Sequence, residues 1–503
     1  MILGQAYRLT GEELYAKDFF EQVQDWIAAN PPKFGINWTC AMDVALRAFS
    51  WIIGSELFRD SPSKTETFDE VLFSSLFEHG LHIWRHLEWG ADVSSNHYLA
   101  DLLGLFSIGL ALEKDEWTRF AQKEMERSIM AQTYADGFDY EGSTSYHRLA
   151  LEIFFAYAFL AGRNAEKCNS PSEVFLARMR AMFEILNKLT APDGTVPLIG
   201  DNDSGRAFVL MRRPDDEMSY LSGLGARFYS ASDMKVGDWA LDPDALWIYG
   251  PPVLEAHRKL RGRSVQDVPV LASEDSGLFT FRGKDDFLIF SAAPNGTRGV
   301  GNHSHNDKLS FCLWVGGEWF FIDPGTGVYT PSPKVRNLFR STSRHNTVTV
   351  DSTEQNRLTS NLFVLANQAV CKVAVSRPNS YVRASHAGYV RIKGKVVHER
   401  SVERASSGSN WTISDRFEGS GNHVLDWRFV LRGGIRPEKV VGGIKLVGKR
   451  QTLFMKSSDP ASIFTVEEGL SSPAYGVVKK VSILSLSTET QLPYSQSFSI
   501  ERS

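Results

Sequence analysis

The sequence has few of the features that assign a chain quickly to a class. Its 503 residues include only four cysteines, Cys40, Cys168, Cys312 and Cys371, and no two of them form a CxxC pair. Neither a disulfide framework nor a cysteine zinc site is therefore predicted, and we interpret the four as buried apolar side chains. The net charge is only −4. A nucleic-acid-binding protein would carry a basic face, so this class is disfavoured.

Targeting and membrane signals are also scarce. No apolar run approaches the ~20 residues that a membrane helix needs, and the first residues, MILGQAYRLTGEEL, contain neither a basic nor an apolar region of a signal peptide. Because the helix predicted over residues 7–30 begins abruptly, we expect that an upstream segment with an export signal is missing or never existed. The protein would be periplasmic or secreted with such a segment and cytoplasmic without it.

Two common catalytic motifs are absent as well. The stretches GTRGVG and DPGTG are rich in glycine, but they lack the strand–loop–helix context and the lysine of a phosphate-binding loop. No GxSxG elbow occurs in the chain. Nucleotide binding and that kind of serine catalysis are therefore not predicted.

The sequence does contain a long succession of amphipathic helices, followed by strands. Helical periodicity is present over residues 10–30, 39–58, 66–88, 97–113, 115–133, 145–162 and 172–190. Successive helices without intervening strands favour a solenoid or a closed toroid. Beyond about residue 262, short β-rich runs such as DFLIFSAA and HVLDWRFVL dominate, which is typical of stacked antiparallel sheets. We predict two domains, a helical one over residues 1–265 and a β-sandwich over residues 266–503.

Three polar clusters could carry chemistry. The segment SSNHYLADLLGL places Asn96 and His97 at the start of a helix, where anions are favoured. The segment DGFDYEGSTSYHRLALEIFF leads into an apolar helix and offers Glu141, Tyr146 and Arg148. Both segments also have a purely structural interpretation, as helix caps with packed rings.

The third cluster lies in the β-rich half, in GTRGVGNHSHNDKLSFCLWVGGEWFFIDPGTGVY and RNLFRSTSRHNTVTVD. We predict separate tasks for its first two histidines, with His303 facing a groove and His305 binding metal. Two imidazoles and one carboxylate form a set that zinc accepts, so His305, Asp323 and His345 are predicted as a metal site. The alternative is that these are scattered polar residues at the ends of strands.

A further run, His79, His82 and His86, recurs along one helical face. Three histidines at this spacing can bind a metal, but no nearby carboxylate is dictated by the sequence except Glu78 and Glu88. We therefore interpret this face as the wall of a groove.

Seven motifs in order resemble the heparinase II/III family of polysaccharide lyases, which includes oligoalginate lyases. They are FGINWTCAMDVALRAFSW, SSNHYLADLLGL, EGSTSYHRLALE, PLIGDND, GNHSHNDKLSF, FIDPGTGVY and RSTSRHNTV. The resemblance implies an incomplete (α/α) toroid followed by an antiparallel β-sandwich, with the glycan in the cleft between them. It also implies a carbon–oxygen lyase that cleaves a uronic-acid-containing polysaccharide by β-elimination, giving 4,5-unsaturated uronides.

The resemblance assigns roles to particular residues. Asn96 corresponds to the asparagine that binds the uronate carboxylate, Tyr146 to the catalytic tyrosine, and His303 to the catalytic histidine of the sandwich. His97 is similar to a histidine that some members use in catalysis, and Tyr329 to a second tyrosine, which acts as base in alginate-cleaving relatives. The positions of His305, Asp323 and His345 match a structural divalent metal, usually Zn²⁺. Arg148, Asn302 and Arg340 are expected to bind substrate together with Tyr329. No organic cofactor is expected.

The chemistry explains why such groups are needed. Removing the C5 proton of a uronate builds charge on its carboxylate, which Asn96, with His97 or Arg148, would stabilise. Tyr146 is the predicted acid because an ordinary phenol keeps its proton at neutral pH, and His303 or His97 is the favoured base.

The expected partner is an anionic glycan: a glycosaminoglycan such as heparan sulfate, hyaluronan or chondroitin, or alternatively alginate, oligoalginate or a bacterial capsule. Two other classes stay open. A glycoside hydrolase would recruit Asp139, Glu141, Asp201 and Asp203 as its paired carboxylates, and a glycan-binding protein would hold the chain without cutting it.

Overall fold

The computed structural model describes residues 1–90, 93–237, 243–405 and 410–503, and these divide into two compact units. The first unit comprises Met1–Thr133, Arg148–Arg180 and Arg206–Arg212. The second comprises Tyr134–His147, Ala181–Gly205 and Arg213–Ser503. The predicted order of a helical region followed by antiparallel sheets is confirmed. The predicted division at residues 265 and 266 stays a prediction.

Amphipathic periodicity produces the helices at the expected places. In the described residues they are α1 (Ile2–Thr10), α2 (Glu13–Ala29), α3 (Ala41–Leu57), α4 (Glu66–Arg85), α5 (Asn96–Ala111), α6 (Asp115–Ala131), α7 (Thr144–Arg163), α8 (Glu173–Leu189), α9 (Tyr220–Phe228), α10 (Pro243–Tyr249), α11 (Pro252–Lys259) and α12 (Pro333–Phe339). Within the described residues, no helix has the length and apolar character needed to cross a bilayer.

The first unit, which we call the helical unit, is organised around α5. This helix is buried along most of its length, and it packs against α3, α4 and α6. Gly104 permits the close approach of α3, because a Cβ at this position would lie 2.6 Å from the Cα of Ala45. Substituting Gly104 would therefore push two core helices apart.

The second unit contains two antiparallel sheets. The four-stranded sheet has the order β1 (Leu278–Arg282), β2 (Asp286–Ser291), β3 (Ser310–Val315) and β4 (Glu318–Phe321). The larger sheet contains β5 (Val348–Val350), β6 (Cys371–Arg377), β7 (Tyr381–His386), β8 (Val397–Arg404), β9 (Trp411–Val430), β10 (Arg436–Val440), β11 (Gly443–Val447), β12 (Thr452–Ser457), β13 (Thr465–Ala474) and β14 (Val477–Arg502). Its main path runs β10-β11-β12-β14-β9-β8-β7-β6, with β13 on β14 and β5 on β9.

The two sheets share one apolar core. Side chains along β9 alternate between buried and less buried positions, because successive residues of a strand face opposite sides. The ring of Phe281 on β1 lies 5.5 Å from that of Trp411 on β9, and Phe321 on β4 lies 6.1 Å from Phe429. This aromatic contact identifies the β-rich part of the second unit as a sandwich.

The connections of the smaller sheet carry the polar residues of interest. His303 and His305 lie between β2 and β3, Asp323 follows β4, and His345 precedes β5. Loops on a rigid sheet commonly carry binding and catalytic groups.

Candidate active site in the second unit

Tyr146 is positioned by the start of α7. The hydroxyl oxygen of Ser143 accepts hydrogen bonds from the backbone N–H of Ser145 and of Tyr146, at 3.1 and 3.3 Å, as a helix cap does. The same hydroxyl donates to the carbonyl of Asp201 at 2.5 Å. The first turn of α7 is therefore fixed to the loop that contains Asp201.

This loop in turn approaches His303 closely. The backbone N–H of Asp201 donates to the carbonyl of His303 at 3.0 Å. Gly200 has a φ of 74°, and a Cβ there would lie 2.7 Å from that carbonyl oxygen. Only glycine fits this position, which explains the glycine of the PLIGDND segment.

His303 is buried between two carboxylates. Its Nδ1 lies 3.0 Å from Asp201 Oδ2, and its Nε2 lies 3.1 Å from Glu141 Oε2. A carboxylate only accepts hydrogen bonds when ionised, so both ring nitrogens are donors and the ring is an imidazolium. Burial by itself disfavours this cation, but the hydrogen bonds and charges of Asp201 and Glu141 raise the pKa of His303 to about 9.

The protonated ring of His303 also contacts Tyr146 directly. The ring of His303 stacks on the ring of Tyr146, with centroids 3.6 Å apart and an angle of 15° between the planes. The site thus places a fixed positive charge against the face of a tyrosine.

Asp201 connects these residues to a second layer. Arg336 on α12 binds both carboxylate oxygens, with Nη2 2.7 Å from Oδ2. His305 Nε2 lies 2.8 Å from Oδ1. Burial would raise the pKa of Asp201, but Arg336 and the two histidines hold it well below its usual range. His303 and His305 therefore share one carboxylate, although we expected them to serve separate tasks.

The Tyr146 hydroxyl lies in a chain of proton donors. It donates to Asp203 Oδ2 at 2.8 Å. Its oxygen is 3.2 Å from the hydroxyl of Tyr329, and because the only proton of Tyr146 is already used, Tyr329 is the donor in this contact. The order of donation is therefore from Tyr329 to Tyr146 to the carboxylate of Asp203.

Both phenols are held in their neutral form. Burial, followed by the Tyr329 hydroxyl and the carboxylates of Asp203 and Asp201, raises the pKa of Tyr146 well above its ordinary value. The pKa of Tyr329 is raised in the same way, by burial and by the same two carboxylates. Tyr146 is thus suited to donate a proton and unsuited to act as a free phenolate.

The sequence indicated Asp203 only as a possible catalytic carboxylate of a glycoside hydrolase. Its Oδ1 accepts from the backbone N–H of Gly205 at 2.8 Å, which leaves Oδ2 for Tyr146. The neighbouring Ser204 has a φ of 61° and binds Asp215 through its hydroxyl. The turn is therefore held in a strained conformation that aims Asp203 at the tyrosine. The PLIGDND motif was the available signal for this role.

His305, Asp323 and His345 come together as a possible metal site. One ligand atom from each lies within 4.8 Å of the others, and Nδ1 of His345 is 3.0 Å from Asp323 Oδ2. His305 Nδ1 and His345 Nε2 are buried and have no hydrogen-bond partner within the described ranges. Buried nitrogens without a partner are costly, so the donor set fits a bound cation.

The other predicted substrate ligands have varied surroundings. Asn302 is half-buried and donates to Glu141 Oε2 at 3.4 Å. Arg340 is fully buried, and its guanidinium donates to the carbonyls of Leu362 and Val364 at 2.9 and 3.4 Å. Arg148, in the first unit, is also fully buried. Substrate binding by these three residues stays a prediction, and direct contact with Arg148 or Arg340 would require them to become accessible.

In the helical unit, Asn96 and His97 are the first residues of α5, as predicted, and Ser95 is the cap. Glu88 bonds His97 Nδ1 through Oε2. Burial disfavours the cation, but Cys40 and Glu88 raise the pKa of His97 to about 10. The Cys40 thiol lies 3.4 Å from Glu88 Oε1, so this cysteine is a polar partner and not the apolar filler that we expected.

The histidine face of α4 is only partly the groove wall that the spacing predicted. His82 and His86 line a pocket. His79 instead is fully buried, where its Nδ1 bonds the carbonyl of Ser75 and its Nε2 accepts from Arg47. Within the described residues, these three histidines do not form a metal-ligand group.

A helical region followed by an antiparallel sandwich, with a buried tyrosine–histidine pair, defines a class of two-part proteins that includes carbohydrate-active lyases. The sequence profile described as Heparinase II/III N-terminus matches residues 1–222, and that described as Heparinase II/III-like, C-terminal matches residues 266–499. The chain belongs to the heparinase II/III family.

Curated relatives carry the name heparin-sulfate lyase. The protein from Pedobacter heparinus is 25% identical over 369 residues, covering 70% of this chain and 50% of that protein. The protein from Bacteroides thetaiotaomicron is 22% identical over 461 residues, covering 84% of this chain and 60% of that protein. The chain thus spans about half to three-fifths of the length of these relatives.

Solved structures support the fold. A crystal structure of heparinase III has a TM-score of 0.75 at 17% identity, covering 99% of this chain and 75% of that chain. A mutant heparan sulfate lyase from Pedobacter heparinus has a TM-score of 0.70 at 20% identity, covering 99% and 74%. At these identities the likeness concerns the fold alone.

Proposed function

We propose that this protein is a polysaccharide lyase that cleaves a glycosaminoglycan, heparan sulfate in the first place, by β-elimination. The observation that carries the proposal is the Tyr146 hydroxyl, which lies between the Asp203 carboxylate and the Tyr329 hydroxyl while its ring stacks on the His303 cation. Family membership and the names of the curated relatives point to the same reaction and to a heparan-type substrate.

The first requirement of the reaction is a positive charge. Removing the C5 proton of a uronate turns its carboxylate into an enediolate, and fixed donors that face this charge lower the barrier. His303 is an imidazolium held by Asp201 and Glu141. Its role in our proposal is to stabilise the enediolate, and its raised pKa argues against the base role that the sequence favoured.

The second requirement is a base beside an acid. We propose that Asp203 accepts the C5 proton, and that Tyr146 gives its proton to the glycosidic O4 as the C4–O4 bond breaks. The electron pair of the C5–H bond becomes the 4,5-double bond, and that of C4–O4 stays on the leaving oxygen. The proton then returns from Asp203 to the Tyr146 phenolate along their 2.8 Å hydrogen bond. Tyr329 stabilises the transient phenolate by donating to it.

A hydrolase is the less suitable alternative. It needs one carboxylic acid and one carboxylate that are free to act on the scissile bond and on water. Asp201 is neutralised by Arg336 and two histidines, and Glu141 faces His303, so neither is free to act as the second carboxylate beside Asp203. Asp201 and Glu141 are instead arranged to hold the tyrosine–histidine pair.

Residues of the helical unit complete the proposal. As the family resemblance implies, Asn96 is our candidate for binding the uronate carboxylate. His97, which Glu88 keeps protonated, is a candidate for a second positive charge and not for the base. Asn302, Arg148 and Arg340 are retained as candidate substrate ligands.

For the metal site we propose Zn²⁺, held by His305, Asp323 and His345. Two imidazoles and a carboxylate suit this ion, and it would supply a structural cross-link near His303. A metal bound only to the folded state stabilises it. A chelator should therefore lower the melting temperature of the parent, and His305→Ala should melt lower and lose its response to the chelator. A metal-free parent that melts like the loaded protein would refute the site.

The test of the function is a panel of uronate polysaccharides: heparan sulfate, hyaluronan, chondroitin sulfate, alginate and bacterial capsules. A lyase creates a double bond conjugated with the carboxylate, so its product absorbs in the ultraviolet. We expect the largest rise in absorbance with heparan sulfate. A larger rise with alginate would correct the substrate, whereas new reducing ends without absorbance would indicate a hydrolase.

A further inference from the structure

The helical unit contains a pocket whose basic side chains the proposed chemistry does not use. Its volume is about 430 Å³, and its wall includes Lys33, Trp38, Thr39, His82, His86 and Glu88. Lys33 and Thr39 belong to the connection between α2 and α3, and the histidines lie at the C-terminal end of α4. Nothing in the tyrosine–histidine cluster of the second unit accounts for this concentration of basic side chains.

The wall of this pocket carries more basic than acidic side chains. Within the described part of the chain, Lys33 and His86 form no ion pair, and both side chains are exposed. The Arg47 guanidinium lies 5.3 Å from the ring of the wall residue Trp38, and the carboxylate of Asp43 stabilises its charge. Burial, and then the charges of His86, Arg47 and Lys33, lower the pKa of His82.

The acidic side chain of the wall is already engaged. Glu88 Oε1 accepts from the backbone N–H of Ala41 at 3.0 Å and from the Cys40 thiol at 3.4 Å, and Oε2 pairs with His97. Because the His97 cation neutralises this carboxylate, Glu88 does not offset the charge of Lys33. The Lys33 ammonium is therefore uncompensated within the described pocket wall.

The two histidines of the wall differ in their hydrogen bonding. The His82 side chain is 8% exposed, and its Nδ1 has no hydrogen-bond partner within the described residues. The His86 ring stacks on it at 4.4 Å. His86 Nδ1 donates to the carbonyl of His82 at 2.8 Å, which leaves His86 Nε2 for another partner. His86 is exposed on the pocket wall, so this nitrogen is open to a ligand.

The backbone conformation of Lys33 also favours a binding site. This residue has a φ of 72°, in the left-handed region that side chains rarely adopt. Such conformations cost free energy and are concentrated at binding sites, where the surrounding structure maintains them. A lysine in this position presents its charge at the pocket mouth at a conformational cost.

We propose that this pocket binds an oxyanion group carried by a saccharide, either a sulfo group or a uronate carboxylate. Lys33 would supply the charge, and Nε2 of His86 a hydrogen bond. The inference rests on the proposed function, which makes an anionic glycan the substrate. It goes further in assigning substrate recognition to residues that take no part in bond breaking.

The test is a titration with an oligosaccharide that cannot be consumed. In a Tyr146→Phe background, a size-defined heparan sulfate oligosaccharide and its fully desulfated counterpart are titrated by calorimetry. Lys33→Gln should weaken binding of the sulfated ligand about tenfold, because a charge-assisted hydrogen bond is lost. Lys33→Gln with His86→Gln should weaken it further, because a second hydrogen bond is lost. The matched control is Lys17→Gln, an exposed lysine on α2 of the same unit.

The two ligands separate the two sources of the oxyanion. A loss confined to the sulfated ligand assigns the pocket to a sulfo group, and an equal loss with both assigns it to the carboxylate. Unchanged dissociation constants for both ligands in the double variant, with an unchanged melting temperature, would overturn the proposal. Failure of the proposed function has a different signature, namely that the parent forms no unsaturated product while the pocket variants still weaken binding.

Discussion

Two buried histidines in different regions of the molecule have opposite electrostatic surroundings. His303 in the second unit is 6% exposed, and His82 in the helical unit is 8% exposed. Desolvation is the largest influence on both and disfavours both cations. The pKa of His303 is nevertheless raised to about 9, because Asp201 and Glu141 face its two nitrogens. The pKa of His82 is lowered, because its neighbours are His86, Arg47 and Lys33.

This difference in surroundings distinguishes a site that breaks bonds from a site that binds substrate. A buried cation whose charge is compensated by the protein is preorganised, and its groups do not have to move when charge develops on a substrate. The exposed ammonium of Lys33, which forms no ion pair within the described residues, can instead receive the charge of an incoming anion. The first arrangement suits bond breaking and the second suits binding, so substitutions in the two regions should alter different kinetic constants.

The largest expected effect comes from the Tyr146 hydroxyl. Tyr146→Phe should lower kcat by about 10⁴-fold or to background, because the proton donor is lost. The phenyl ring can still stack on His303, so we expect the circular dichroism spectrum and the melting temperature to stay close to those of the parent. Substantial ultraviolet-monitored activity in this variant would remove Tyr146 from the mechanism.

The second-largest loss of kcat is expected when the Asp203 carboxylate is removed. Asp203→Asn should lower kcat by about 10²–10³-fold, because general base catalysis contributes on this scale. Asp215→Asn is the matched control, since this carboxylate holds the same loop through Asn202 and Ser204 without contacting Tyr146. Equal losses in the two variants would mean that Asp203 serves only to shape the loop.

Asn96 tests whether the helical unit contributes to the chemical step. If Asn96 donates to the developing enediolate, Asn96→Ala should lower kcat by about 100-fold, the scale seen for removal of one such donor. A rise in KM with unchanged kcat would make Asn96 a ground-state ligand. Asn96 would then belong with Lys33 and His86, the residues that we propose bind the substrate without acting in the chemical step.

The pH dependence of kcat/KM should report the protonation of His303 directly. The folded-state pKa of His303, about 9, exceeds the ordinary value of 6.5. The cation and its stabilising contribution are therefore fully present below pH 6.5 and are lost as the pH rises through about 9. We expect kcat/KM to fall on this alkaline limb. Glu141→Gln removes one supporting charge, so its limb should lie at lower pH, and an unmoved limb would contradict the assignment.

Sequence alone predicted the local features well. Helices α3 to α8 begin and end within a few residues of the predicted spans, because amphipathic periodicity is a local property. The many short β-rich runs likewise predicted a sandwich. His79 was misplaced because the spacing of a helix face does not reveal whether Arg47 and the tryptophans of neighbouring segments cover it.

The protonation states and partners of the site depended on distant loops. Tyr146 and Asp203 are separated by 57 residues, and His303 and Asp201 by 102. The motifs indicated that Tyr146 and His303 matter, but not that two carboxylates turn His303 into a cation. An isolated histidine suggests a base, whereas the folded arrangement supports a fixed positive charge.

The most direct measurement of the central claim follows the C5 hydrogen. A heparan sulfate oligosaccharide that carries deuterium at C5 of one uronate is incubated with the parent protein, and the products are analysed by mass spectrometry. β-Elimination predicts a product without the deuterium and without an added water, formed more slowly than from the unlabelled compound. A product that keeps the deuterium and contains one added water would contradict the account and indicate hydrolysis.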